Sequence, residues 1–393
     1  MPAPSDLKTR AAAAVEANRD EILALSRAIH ADPEPAFEEH RAAARVAASI
    51  AAHGYVVEHP AGSLATAVRG RLTGGLGSDG PRIGVLAEYD ALPGLGHGCG
   101  HNTMAASGVG AAIALAAVRD AFAGEVVFLG TPAEERGSGK QFMLDDGLFE
   151  GLDAALLFHP ADRDMVHAIL LASEDVDVTF TGMAAHAASE PWEGRNALDA
   201  AILLFEAVGL WRQQLPQHAR VHGIVVEGGT AANIIPDRAT ARFMIRSTDQ
   251  PYFDSMRTRF RSLVEGAALM ADVKGEVVFS GRSTTMKESR TLAGLWRSNM
   301  EAKGLADEGV DPEHIGSSDM GNVSLVVPTI HPSLAICHHG VPWHSVESLR
   351  AAATPRAETT TLVAAALVAE TALDLLADPS LVTSAWREFR GEG

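Results

Sequence analysis

The run Gly96-His97-Gly98-Cys99-Gly100-His101-Asn102 sets three borderline-to-soft donors, His97, Cys99 and His101, on a glycine-rich turn. Glycines permit the tight bends that let such side chains converge. The small-residue stretch 103–118 that follows reads as a helix, with Asn102 or Thr103 as its N-cap. Cys99 would then precede a helix N-terminus, where partial positive charge favours thiolate over thiol. A thiolate beside imidazoles is either a metal ligand or a nucleophile.

The elements around this run deliver more donors. Residues 83–87 form an apolar run that reads as a buried strand and ends in Glu88-Tyr89-Asp90. A second such run, 125–130, ends in Thr131-Pro132-Ala133-Glu134-Glu135, and a third, 154–158, delivers His159-Pro160. Open α/β sheets carry their sites at the carboxyl ends of strands, which is where all three sets lie. Zinc, manganese and cobalt accept thiolate, imidazole and carboxylate together, so Cys99, His101, His159 and one of Glu134 and Glu135 can form a mixed shell. A thiolate can bridge two ions, a common hydrolytic arrangement. Adjacent glutamates on an irregular loop can diverge. One then binds metal while the other takes the proton of the attacking water and passes it to the leaving amine.

Composition bounds the rest. The chain has 393 residues, 32 Lys plus Arg against 50 Asp plus Glu, and a formal charge of -18. Such a chain repels polyanions and shows no basic cluster, so no nucleic-acid partner is expected. Two cysteines argue against a disulfide framework. Residues 1–20 lack an apolar leader core, and no stretch reads as a membrane span. A soluble cytoplasmic protein with no membrane partner is therefore expected.

In chain order, helices are expected over 7–25 and 38–53, with short strands at 55–57 and 64–71. Near residue 173 the texture changes to strand-helix-strand-strand-helix-strand, the pattern of a two-layer α/β unit with an antiparallel sheet. Residues 173–282 read as a second domain inserted into a discontinuous metal-binding domain, 1–172 and 283–393. The latter resumes with a helix at 292–303, strands near 324–326 and 334–336, and a long helix over 355–376. The overall class is α/β.

The sequence resembles the co-catalytic metallopeptidases and amidohydrolases that include carboxypeptidase G, aminoacylase and the auxin-conjugate hydrolases. It is most similar to the branch of aminobenzoyl-glutamate hydrolase and related dipeptidases. Over roughly 30–376 the resemblance rests on Glu88–Pro93, Gly96–Asn102, Pro132–Glu135, Phe158–Pro160, Gly182–Ala187, Gly229–Pro236, Ser317–Asn322 and Val327-Pro328. It implies a three-layer zinc-peptidase-like catalytic domain with a ferredoxin-like lid or dimerisation insertion. It also implies two divalent ions per chain, manganese or zinc with cobalt as an alternative. Their ligands would be Cys99 (bridging), His101, Glu135, His159 and a C-terminal histidine. Three compete for that place, His338, His339 and His344, and the Gly340–Ser345 context favours His344. Glu134 would be the general base and acid, and Asp90 would orient a ligand histidine. His186, Asn233 and Arg246 match residues that hold the scissile carbonyl or the substrate carboxylate. In relatives the counterpart of His186 crosses a dimer interface, so a homodimer through 173–282 is expected, helped by the apolar face Ala197-Leu198-Ala201-Ile202-Phe205.

Two features depart from the family pattern. Glu88 stands where other branches carry a ligand histidine, and Asn102 replaces an aspartate. His97 fits better as a neighbour of ligands than as one, and Cys337 reads as a core thiol. The expected activity is metal-dependent hydrolysis of amide bonds in N-acyl amino acids, aryl-amide conjugates or dipeptides. Hydrolysis of a non-peptide C–N bond, such as an arylamine or ureido group, is the alternative. A metal-free cysteine hydrolase, with Cys99 as nucleophile and His101 as base, is a third reading.

Overall fold

The computed structural model describes residues 3–310 and 315–392; residues 1, 2, 311–314 and 393 of the expected catalytic segments lie outside it. The strands are β1 (Val56–Glu58), β2 (Val68–Thr73), β3 (Arg82–Glu88), β4 (Glu125–Thr131), β5 (Ala154–Leu156), β6 (His159–Ala161), β7 (Ala172–Thr181), β8 (Ala219–Glu227), β9 (Arg238–Ser247), β10 (Lys274–Ser283), β11 (Thr329–Ile330) and β12 (Ser333–Ala335). The chain divides into two compact units. One spans Leu170–Thr285 with Ile315–Ser317, and the remaining described residues make the other.

The larger unit is built on a six-stranded sheet of order β1-β2-β4-β3-β5-β11. β4, β3, β5 and β11 run parallel, while β1 and β2 pair antiparallel. β4 is buried throughout and β3 almost so, as their unbroken apolar runs require of strands covered on both faces. The crossover between them is the helix His101–Ala117, buried from His101 to Leu115. Glycine permits its close packing: a Cβ at Gly108 would lie 2.8 Å from Ala87 Cβ, and one at Gly110 would lie 2.9 Å from Ala365 Cβ. The helix is thus pressed between β3 and the helix Pro355–Ala377.

Several expectations need correction. The helix foreseen over 7–25 is two, Ser5–Ala17 and Arg19–Ala31, because Asn18 donates from its side-chain amide to the Ala14 carbonyl (2.8 Å) and leaves the helical path. The strand foreseen near 324–326 is the end of a helix, Met320–Ser324, and the sheet resumes only at β11. A final helix, Pro379–Phe389, was missed; Asp378 caps it through the Ser380 amide. Pro355–Ala377, at 23 residues, is long and apolar enough to cross a membrane, contrary to the sequence reading. Here it is a core helix, buried over most of its length.

The smaller unit has the sheet order β10-β7-β9-β8, all antiparallel. β7 buries every second residue from Ala172 to Phe180. Val176, Val178 and Phe180 share one core with Ala201, Leu204 and Val208 of the helix Ala197–Arg212 and with Phe253, Phe260 and Val264 of the helix Gln250–Met270. Two helices thus cover one face of a four-stranded sheet. Ala197 and Ala201, assigned above to a pairing surface, are buried in this unit's own core, whereas Ile202 is exposed.

Candidate active site

Asp90, two residues beyond β3, is buried and divides its carboxylate between two partners. Oδ1 lies 3.1 Å from Nδ1 of His101, and Oδ2 accepts the backbone amide of Glu135 at 2.9 Å. The Asp90 carbonyl also lies 3.0 Å from that nitrogen. Burial opposes the Asp90 charge, yet His101 and the Glu135 amide outweigh it and hold the carboxyl below its ordinary 3.8. With Nδ1 turned to these oxygens, Nε2 is the nitrogen of His101 that faces the site. It is buried and has no hydrogen-bond partner.

The helix that starts at His101 is capped neither by Asn102 nor by Thr103. Gly100 occupies the N-cap with φ 81°, and a Cβ there would lie 2.8 Å from Pro160 Cγ. Asn102 instead donates to Ser26 Oγ and the Ala352 carbonyl, and Thr103 donates back to the Gly100 carbonyl. Cys99 is buried, with Sγ 3.5 Å from Nε2 of His159. Burial, and then the Glu135 carboxylate, push its thiol well above the ordinary 9.0. His159 does not trail β5 but opens β6, which pairs in parallel with β12. Its Nδ1 lies 2.6 Å from the Pro160 carbonyl, which leaves Nε2 to face Cys99.

Glu134 and Glu135 leave β4 through Ala133, at φ 59°. Oε2 of Glu134 and Oε1 of Glu135 both lie 3.9 Å from Nε2 of His101, while Oε2 of Glu135 reaches to 3.6 Å from Nε2 of His344. Burial raises both carboxyls, Glu134 strongly and Glu135 to about 7. Of the three competing histidines, His344 is the one the fold brings here. His339 pairs with Glu308 at 2.7 Å, and His338 is exposed.

The donor atoms form two groups with Cys99 in common. Those of Cys99, His101 and His159 lie within 4.8 Å of one another, as do those of Cys99, Glu135 and His344. Bonds of about 2.0–2.3 Å to one tetrahedral ion set donor separations of roughly 3.3–3.8 Å, and the Cys99–His159 distance falls in that range. The buried, unpartnered atoms Nε2 of His101 and Oε1 of Glu135 are donors such an ion would satisfy. The residues present fit a metal centre.

Sequence reasoning missed part of this neighbourhood. Lys140 is fully buried and joins two carboxylates, with Nζ 2.5 Å from Glu88 Oε1 and 2.6 Å from Asp319 Oδ1. Glu88, read above as a strand-end donor and a departure from the family pattern but not as a ligand, turns Oε2 to 3.3 Å from Nε2 of His101 and forms a third donor group with His101 and Glu134. His331 is buried, with its ring 5.4 Å from that of His159. Its signal was available, since Ile330-His331-Pro332 repeats Phe158-His159-Pro160 at a strand end. His97 joins no donor group among the described residues; it stacks near His30, and burial lowers it to about 3.

His186, Asn233 and Arg246 all lie in the smaller unit. His186 and Ile234 form a bridge, and the Ala187 amide donates to the Asn233 carbonyl, so two of the three sit on adjacent exposed segments. Nδ1 of His186 accepts from the amides of Ala188 and Ser189, which puts the ring proton on Nε2 as a donor. Arg246 lies on β9, with Nε 3.0 Å from Met244 Sδ and no ion pair among the described residues.

Residues 84–365 match the model of peptidase family M20/M25/M40. The chain is 36% identical to the Xaa-Arg dipeptidase of Mus musculus, covering 98% of this chain and 92% of that protein. It is 34% identical to one of the subunits of p-aminobenzoyl-glutamate hydrolase from Escherichia coli, over 71% of this chain and 62% of that one. A dinuclear metal-binding peptidase of the M20 family from Bacillus subtilis shares the fold, with a TM-score of 0.71 at 21% identity over 92% of this chain and 99% of that one. The chain therefore belongs to peptidase family M20/M25/M40 and is a metal-dependent amidohydrolase that cleaves amide bonds in small conjugates.

Proposed function

We propose that the two donor groups sharing Cys99 hold two divalent ions, manganese or zinc, in a site that hydrolyses dipeptides and N-acyl or N-aroyl amino acids. The observation that carries this reading is the common sulfur: Cys99 belongs at once to the His101–His159 group and to the Glu135–His344 group. When bound, the ions would polarise the amide carbonyl and lower the pKa of a water. Glu134, not committed to either group, takes the proton from the attacking water and delivers it to the leaving amine. Asp90 keeps His101 in the tautomer that offers Nε2 and holds the Glu135 backbone.

His186, with its Nε2 proton free to donate, stabilises the carbonyl oxygen, and Arg246 receives the substrate carboxylate. The dimer expected through the smaller unit is supported by Ile224, Val225 and Val226, exposed on the edge strand β8, and by Ile202 and Leu210 on the neighbouring helix. His186 would then serve the partner's site. The test is a rate screen of manganese- and zinc-reconstituted protein over dipeptides ending in arginine, p-aminobenzoyl-glutamate and N-acetyl amino acids, with N-carbamoyl amino acids as contrast. Turnover in the first three classes is expected. Turnover of the carbamoyl compounds alone would transfer the reading to ureido cleavage.

A further inference from the structure

Glu39 has a buried carboxylate that the mechanism above does not use, and it makes no ion pair among the described residues. It is the first residue before the helix His40–Ala52, yet its side chain does not cap that helix. Glu34 does so instead, accepting from the amides of Arg41 and Ala42. The Glu39 carboxylate turns toward the site. Oε1 accepts two backbone amides, from Phe37 at 2.9 Å and Ala133 at 2.8 Å, and Oε2 accepts the Thr66 hydroxyl at 2.9 Å.

Both amides belong to residues in the left-handed region, Phe37 at φ 66° and Ala133 at φ 59°. Neither is glycine, so each conformation needs a compensating contact. Ala133 immediately precedes Glu134 and Glu135, so its backbone angle aims both. The loop is folded hard at this point: the Gly139 amide donates to the Ala133 carbonyl, and a Cβ at Gly139 would lie 1.9 Å from the Pro132 carbonyl oxygen. The Phe37 ring closes over Gly137, where a Cβ would lie 2.5 Å from Phe37 Cε2. On its other side the network reaches Tyr89, the residue after β3 and between Glu88 and Asp90, whose hydroxyl donates to the Thr66 carbonyl at 2.5 Å.

We propose that Glu39 is a positioning residue: one carboxylate clamps the left-handed turn at Ala133 and so sets the separate directions of Glu134 and Glu135. The inference rests on the reading of those two glutamates as base and ligand. Glutamine at this position keeps an oxygen for both amides, and its NH2 can meet a rotated Thr66 hydroxyl. Leucine keeps the bulk and loses every acceptor.

The test compares Glu39→Gln and Glu39→Leu with wild type, as cobalt-loaded protein for the visible absorption spectrum and as manganese-loaded protein for dipeptide kinetics. Thr66→Val serves as a milder variant should Glu39→Leu fail to fold. Glu39→Leu is expected to bind its full metal complement, show altered cobalt ligand-field bands, and lose kcat by roughly tenfold or more. Its KM should stay within about twofold. Glu39→Gln should restore both spectrum and kcat, and Thr66→Val should fall between. A wild-type spectrum in Glu39→Leu, or in Thr66→Val if that variant alone folds, would overturn the proposal. So would a Glu39→Gln protein as impaired as the leucine variant, or metal loss in proportion to activity. If wild type cleaves none of the amides, the assignment of Glu134 as base fails, while the cobalt spectra still decide whether Glu39 sets the Glu135 geometry.

Discussion

The sulfur of Cys99 stands 3.5 Å from Nε2 of His159, at the spacing of two donors on one ion, while the same sulfur groups with Glu135 and His344 on its other side. A hydroxyl is a far poorer anionic ligand near neutral pH. Cys99→Ser should therefore fold and lose most of its metal. Elemental analysis of the purified variant beside wild type checks this, and an unchanged metal content would remove the bridging role.

Glu134 and Glu135 separate by their partners. Glu135 is tied through its amide to Asp90 and groups with Cys99 and His344, whereas Glu134 groups with His101 and Glu88. Glu134→Gln should keep metal and substrate binding while kcat falls by roughly 10²–10⁴. Glu135→Gln should instead weaken metal binding. Metal content and kcat measured on both variants would expose a reversed assignment.

Glu39 also sets a pH dependence. Burial first, and then the nearby Asp90 charge, raise its carboxyl from 4.5 to about 7. A folded-state pKa above the unfolded one means that the folded chain holds the proton more tightly. The stabilisation from this group is therefore complete below about pH 4.5 and is lost as pH rises through about 7. Glu39→Gln does not titrate, so it should gain on wild type across that interval. Urea midpoints of both proteins between pH 4 and pH 8 give the comparison; a variant that loses ground as pH rises would show that the charged carboxylate is the favoured form.

How much of this was readable in the chain depends on the scale of the feature. Unbroken apolar runs marked β3 and β4, because strands covered on both faces leave no polar positions, and the acidic residues at their ends stood out. The alternation over 175–181 marked β7 for the converse reason. Short elements were readable only in part: 55–57 and 334–336 met β1 and β12, and others did not show. β6 is held by pairing with β12 and the helix Met320–Ser324 by contacts distant in sequence, so neither has a periodic pattern of its own. The Lys140–Glu88–Asp319 cluster joins residues 52 and 179 positions apart, a proximity that only the folded sheet creates. Ala133 offered no sign of its left-handed backbone, since a glycine would have marked it and an alanine does not.

His186 gives a prediction that reaches beyond one chain. Two inactive proteins, Glu134→Ala and His186→Ala, are mixed and allowed to exchange subunits. If His186 acts across the interface, each mixed dimer has one site with both lesions and one with neither, and activity returns. If it acts within its own chain, every site keeps one lesion. A mixture that stays inactive after exchange is confirmed by mass would remove the cross-subunit role.

The account stands most directly on the number of ions that catalysis requires. Chelated protein titrated with manganese, with hydrolysis of an arginine-terminated dipeptide followed at each addition, should show no turnover at the start and a plateau at two equivalents per chain. Full turnover in the chelated protein, or a plateau at one equivalent, would contradict a site in which Cys99 serves two ions.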